Sequence, residues 1–214
     1  MQNARSARSA TRSSSSSFSY ELFSDFEDTL VVPEISYKEW VLPRVADRER
    51  FEAEYENRRE KAREERSTRA WENYLNLYAR LLSAQDFKEM SARYSMNRVF
   101  SSWCKRFFRA HGYTNAKLTV LTRGFAPIAR NYVERSDVKS ALAQIGISAA
   151  TVIGCEPSMD NKGMMKEGLK SVIYSKRKFV KDGHVMLGDD GDEWDFRSYP
   201  YFVNLSKWRS SSNE

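Results

Sequence analysis

The stretch Ser24-Asp25-Phe26-Glu27-Asp28-Thr29-Leu30 follows the apolar and aromatic run Phe18–Phe23. Such a run reads as a buried strand, so two carboxylates at i and i+2, with a Thr at i+4, stand where that strand ends. In an open parallel α/β sheet, ligands gather at the carboxyl ends of the strands. An acid pair placed there can hold a metal ion, or divide the roles of nucleophile and proton donor. The rest of the chain must therefore supply further strands with matching chemistry at their ends.

Composition bounds the alternatives. At 214 residues with 41% hydrophobic side chains, the chain can build a core domain with a smaller one attached. The formal net charge of +6 is modest and partly sits in the first residues. Elsewhere Lys and Arg are mixed with Asp and Glu, which argues against a nucleic-acid face. Cys104 and Cys155 stand far apart without a CxxC, which argues against a disulfide framework or a Cys-based zinc site and fits a reducing, cytoplasmic setting. No apolar run is long enough to span a bilayer.

Residues 1–17 are rich in Arg, Ser and Ala and lack acids, so they read as a disordered tail. Organelle targeting is the minor alternative for that composition. Residues 37–110 read as an all-helical block. Arg48–Arg66 is dense in Glu and Arg without Gly or Pro, and Trp71, Tyr74, Leu75, Tyr78 and Leu82 recur at helical spacing. After Gly112, strands and helices alternate. Expected strands are Lys117–Leu121, Thr151–Cys155, His184–Leu187 and Tyr201–Leu205. Expected helices are Pro127–Val133, Asp137–Ile145 and Asn161–Tyr174, the last from the spacing of Met165, Leu169, Val172 and Ile173. Alternation of this kind predicts a parallel sheet with right-handed crossovers.

Three strand ends carry chemistry: Asp25, Glu27 and Thr29 at the first, Thr122-Arg123-Gly124 at the second, and Gly188-Asp189-Asp190-Gly191-Asp192-Glu193 at the fourth. Before the fourth lies a Lys that opens the expected helix. This ordered set resembles the haloacid dehalogenase superfamily of phosphotransferases, with its Asp-x-Asp-x-Thr loop, strand-terminal Ser/Thr, Lys and Gly-Asp-rich acidic loop. Leu121-Thr122-Arg123-Gly124-Phe125 looks like the second motif of its phosphoserine-phosphatase-like branch. The resemblance covers about residues 18–205 apart from the helical block. It implies an α/β, Rossmann-like core over residues 18–36 and 111–214, with residues 37–110 as a helical cap inserted after the first strand.

It also implies Mg²⁺-dependent hydrolysis of a small phosphate monoester through an aspartyl-phosphate. In that reading Asp25 is the nucleophile and Glu27 the acid and base. Lys162 is the neutralising cation, with Lys166 one turn later as its alternative. Thr122, Arg123 and Gly124 contact the phosphoryl group, and Asp25, Glu27 and Asp189 hold the metal. Thr29, Asp190, Asp192 and Glu193 stand behind them. The chemistry agrees with these residue types, because a carboxylate attacks an anionic phosphate only where cations screen the repulsion. The chain departs from the pattern at Glu27, one methylene longer than the usual second Asp, and at Asp28, where Gly is common. Those departures, with the charged helix Arg48–Arg66, support a second reading: a weak or inactive relative that binds a phosphorylated ligand or a protein partner.

Overall fold

The computed structural model describes residues 19–208. The expectation for residues 1–17 lies outside them. Among the described residues the strands are β1 (Ser19–Asp25), β2 (Val31–Pro33), β3 (Tyr94–Met96), β4 (Asn115–Phe125), β5 (Ile147–Met159), β6 (Met165–Ser171), β7 (Met186–Gly188) and β8 (Phe202–Asn204). The α-helices are α1 (Tyr37–Val41), α2 (Arg48–Glu65), α3 (Thr68–Leu75), α4 (Ala84–Ala92), α5 (Arg98–His111), α6 (Ala126–Glu134) and α7 (Ser136–Gln144).

Six strands form one sheet in the order β6-β5-β4-β1-β7-β8, parallel at every pairing except β5 with β6. The apolar run read as the first strand is β1, at the centre, where Leu22 and Phe23 are buried. β4 beside it buries Leu118, Val120 and Leu121, as a strand covered on both faces must. The register decides where the chemistry falls. Asp25, the last residue of β1, pairs with Leu121, so Thr122 lies one step beyond it. On the other side Ser24 pairs with Leu187, so Gly188-Asp189 follow at the same edge. Three loops distant in sequence thus leave the sheet side by side.

The helical block forms from local signals. Ser36 and Ser83 open α1 and α4 with capping boxes to Glu39 and Asp86. Asp47 and Ser67 cap α2 and α3. Gly112, with φ +69°, closes α5 in the left-handed conformation that glycine adopts without strain. The block is not uniformly helical. Tyr94–Met96 interrupts it as β3 and pairs antiparallel with β2. α5 packs on the sheet, where Phe107 meets Tyr20 with ring centroids 5.5 Å apart. α1, α2 and α3 stand over the cleft at the carboxyl ends of β1 and β7.

One expected helix is absent. Residues 161–174 form a hairpin turn and β6, antiparallel to β5, in place of the helix Asn161–Tyr174. The apolar spacing there fits a helix, but the turn chemistry overrides it. The Asp160 carboxylate accepts hydrogen bonds from the backbone N–H of Lys162 (2.8 Å) and Met164 (2.9 Å), and Gly163 takes φ +75°. The hairpin then reaches the helical block: Ala84 N–H donates to Gly163 O at 2.9 Å and Met165 N–H to Leu82 O at 2.8 Å.

Within the block, Asp86 ties α1 to α4. Its buried carboxylate accepts from Trp40 Nε1 at 2.9 Å and pairs with Arg44 at 2.6 Å, besides closing the Ser83 capping box. Burial alone would raise its pKa, but Arg44, Ser83 and Trp40 outweigh burial and hold it well below the usual carboxylate range. A depressed folded-state pKa gives stability that is present above about pH 4 and lost as pH falls through the folded value. Asp86→Ala should therefore cost about 2–3 kcal/mol in urea unfolding at pH 7. The gap to wild type should narrow as the pH is lowered below the ordinary carboxylate range. A pH-independent gap would show that packing, not the ionised carboxylate, carries the effect.

Candidate active site

Asp25 is buried at the floor of a cleft of about 320 Å³. Its Oδ1 accepts the Phe26 N–H at 2.6 Å and faces Lys176 Nζ at 2.6 Å. Lys176 is 1% exposed and also reaches both oxygens of the fully buried Asp192, at 2.8 and 3.0 Å. Asp192 pairs in turn with Arg123 Nη1 at 2.8 Å. Carboxylate oxygens of Asp25, Asp189 and Asp192 lie within 4.8 Å of one another.

Two carboxylates thus share one buried lysine, and the charge is divided unequally. Burial, then Asp192, push the Asp25 carboxyl well above the usual range, against the pull of Lys176. Burial would raise Asp192 as well, but Lys176 and Arg123 together keep it below that range. Asp192 has two cations beside it, where Asp25 has one. Asp189 is raised by burial and by Asp192. The resulting group of three acids and two bases is short of positive charge at Asp25 and Asp189. Clustered carboxylate oxygens with that deficit fit a hard divalent cation such as Mg²⁺. Asp25, Asp189 and Asp192 would hold it.

The expected residues divide as follows. Asp25, Glu27, Arg123, Gly124 and Asp189 meet at the cleft. Thr122 is fully buried beneath it, and its Oγ1 accepts the Gly124 N–H at 2.9 Å, so that N–H is already engaged. Arg123 holds Asp192, donates from Nε to Tyr174 O at 2.8 Å, and lies 5.0 Å from the Trp194 ring. The Glu27 carboxylate is outside the three-acid group, where Asp192 takes the place expected of it, and accepts a hydrogen bond from the Tyr37 hydroxyl. Burial raises the Glu27 carboxyl, while the Tyr37 bond partly offsets this. Thr29 is buried with its hydroxyl unpartnered among the described residues. Asp190 and Glu193 turn away from the cleft: each accepts from Asn204 Nδ2, at 2.8 and 2.7 Å, and Lys207 lies beside both.

Lys162 does not reach the site. It lies exposed at the β5–β6 turn, because the helix that was to present it is a hairpin. Lys166 falls on β6 of the same hairpin. The lysine at Asp25 is Lys176, from the basic run Lys176–Lys181, and nothing in that run sets it apart from its neighbours. Its position is fixed by Asp195, which accepts the Lys176 N–H at 2.5 Å and the Ser175 hydroxyl at 2.8 Å. From the helical side, Trp71 Nε1 donates to Arg123 O at 2.7 Å, a contact that helical periodicity alone reads as packing.

A parallel α/β sheet with clustered acids at its strand ends and helices above them defines the class. Two solved structures share the fold. A phosphoserine phosphatase, as an analogue of its phospho-aspartyl intermediate, superposes with a TM-score of 0.50 at 13% identity, over 83% of this chain and 81% of that one. A phosphoserine phosphatase from T. onnurineus superposes with a TM-score of 0.52 at 13% identity, over 91% of this chain and 95% of that one. No protein-family model matches the sequence, and no curated protein does. The fold is thus the haloacid dehalogenase type that the sequence motifs imply. Among the described residues, no helix is long and apolar enough to cross a membrane.

Lys176→Ala strands Asp25 and Asp192 without their shared cation. It should cost about 3–5 kcal/mol, as losing one partner of a buried pair does. Lys162→Ala at the exposed turn should stay within about 0.5 kcal/mol of wild type. Chemical unfolding of both variants checks the assignment, and comparable losses would contradict it.

Proposed function

We propose that the protein is a Mg²⁺-dependent phosphatase that hydrolyses a small phosphate monoester through an aspartyl-phosphate on Asp25. The observation that carries this reading is Asp25 itself: a carboxylate at the floor of a cleft, 2.6 Å from the buried Lys176 Nζ and grouped with Asp189 and Asp192. Mg²⁺, when bound, supplies positive charge that keeps Asp25 ionised and draws electron density from the phosphoryl oxygens.

In the first step an Asp25 oxygen attacks phosphorus, the bond from phosphorus to the alcohol oxygen breaks, and Glu27 gives that oxygen its proton. Burial favours the neutral acid Glu27 needs at that point. In the second step a water oxygen attacks the phosphorus of the aspartyl-phosphate while Glu27 takes back a proton. Phosphate leaves and Asp25 is regenerated. Lys176 screens the incoming negative charge, and Arg123 holds Asp192 against Lys176. The cleft suits a small phosphorylated metabolite. The domain division into a core and a helical cap over residues 37–110 belongs to the same proposal.

The test is phosphate release from a panel of phosphorylated metabolites with Mg²⁺ and with a chelator. Turnover should need the metal, and Asp25→Asn should lower it by at least about 1,000-fold. Near-normal turnover in Asp25→Asn would remove the nucleophile. Tight binding of a phosphorylated ligand by a wild type that releases no phosphate would favour the binding-protein reading.

A further inference from the structure

We infer that Tyr37 is a positioning residue for Glu27, and that Gly124 is the space in which the pair fits. The inference rests on the phosphatase reading and adds to it how the longer acid is aimed. Three segments converge here: the loop after β1, the first residue of α1, and the strand end of β4. The Tyr37 hydroxyl donates to Glu27 Oε1. A Cβ added at Gly124 would stand 3.2 Å from Glu27 Oε2, 3.3 Å from Oε1, and inside van der Waals contact of the Tyr37 hydroxyl. The two side chains therefore lie directly on the backbone of residue 124, which no larger residue allows without displacing them.

Tyr37 is itself held. Its ring packs against Phe125 at 5.4 Å and edge-on to Tyr78 at 5.9 Å, and the Ser36–Glu39 capping box fixes the start of its helix. A glutamate has one more rotatable bond than an aspartate, and ordering it costs entropy. A donor on Oε1 removes that freedom and divides the work of the two oxygens. In this proposal Oε1 accepts from Tyr37 and Oε2 carries the proton of the acid. In the first step the Oε2–H bond breaks and the proton goes to the leaving oxygen as that oxygen parts from phosphorus. Tyr37 keeps its own proton throughout. A shift of about 1 Å in such a group costs on the order of 100-fold.

The experiment compares wild type, Tyr37→Phe, Glu27→Gln and their double variant on one alkyl phosphate and on p-nitrophenyl phosphate. kcat/KM reports the steps through release of the first product. Tyr37→Phe keeps the ring and loses the donor. Its kcat/KM should fall about 10- to 100-fold on the alkyl substrate, and much less on p-nitrophenyl phosphate, whose leaving group needs no proton. In the Glu27→Gln background Tyr37→Phe should add little, because it acts through Glu27. Equal losses on both substrates, or no loss on the alkyl one, would overturn the positioning role while leaving the phosphatase reading intact. No turnover by wild type on any substrate would overturn both. Unfolding gives a readout independent of activity. Gly124→Ala should be destabilising, and Tyr37→Phe should restore part of that loss by removing the hydroxyl the new Cβ meets. Additive effects of the two substitutions would show that the pair does not share that space.

Discussion

A lysine removed from water and shared by two carboxylates is the constraint on which this site depends. Lys176 and Asp192 are almost fully buried, and Asp25 is nearly so. Desolvating such groups costs more than their mutual attraction commonly returns, and apolar residues of similar size would make a more stable core. The cluster therefore makes sense as chemistry rather than as stability. Arg123 completes it: Asp192 has both Arg123 and Lys176 beside it, whereas Asp25 has Lys176 alone, so burial leaves Asp25 the under-compensated acid. An acid left short of positive charge at the floor of a cleft is what the proposed chemistry, with its cation and anionic substrate, requires.

The sheet sets the frame of that arrangement, and the loops bring Lys176 and Asp192 to it. β1 lies between β4 and β7, and pairing with both in parallel brings Asp25, Thr122 and Asp189 to one edge. The loops then adjust the details. Asp195 anchors the backbone of Lys176, and Asp189 turns its own loop by accepting the Gly191 N–H at 2.7 Å. Asp28 adopts φ +59°, a left-handed conformation that Asp tolerates better than most residues. A glycine would adopt the same backbone conformation without strain.

Much of this was legible in the sequence, for identifiable reasons. β1, β4, the core of β5 and the helices α6 and α7 announce themselves because apolar runs and helix periods are local signals. Asp25 and Asp189 followed from the same signals, since each stands at the end of a buried run. Lys176 did not. Its role depends on how the chain returns after β6, and the turn Asp160-Asn161-Lys162-Gly163 was masked by apolar spacing that also fits a helix. Asp192 and Glu193 are neighbours in one acidic loop, and the sequence places both behind the metal residues without separating them. The tight turns through residues 189–195 bury Asp192 and leave Glu193 beside Lys207. Spacing in sequence does not fix which face of an irregular loop points inward.

The helical cover is joined to the site by directed polar contacts as well as by area. Trp71 donates to the carbonyl of Arg123, the Tyr174 hydroxyl lies 3.5 Å from Ala62 O, and Arg66 stands 5.4 Å from the Trp194 ring. Each contact falls on, or one step from, a residue that holds Asp192 or Lys176. A displacement of α3 would therefore disturb Arg123, and through it the partition of charge between Asp192 and Asp25. Tyr37 makes the same connection from α1 to Glu27. Both halves of the proposed chemistry, the charge on the nucleophile and the aim of the acid, thus depend on where the helices sit over the sheet. In the proposed mechanism the cover is a component of the catalytic geometry as well as a wall of the cleft.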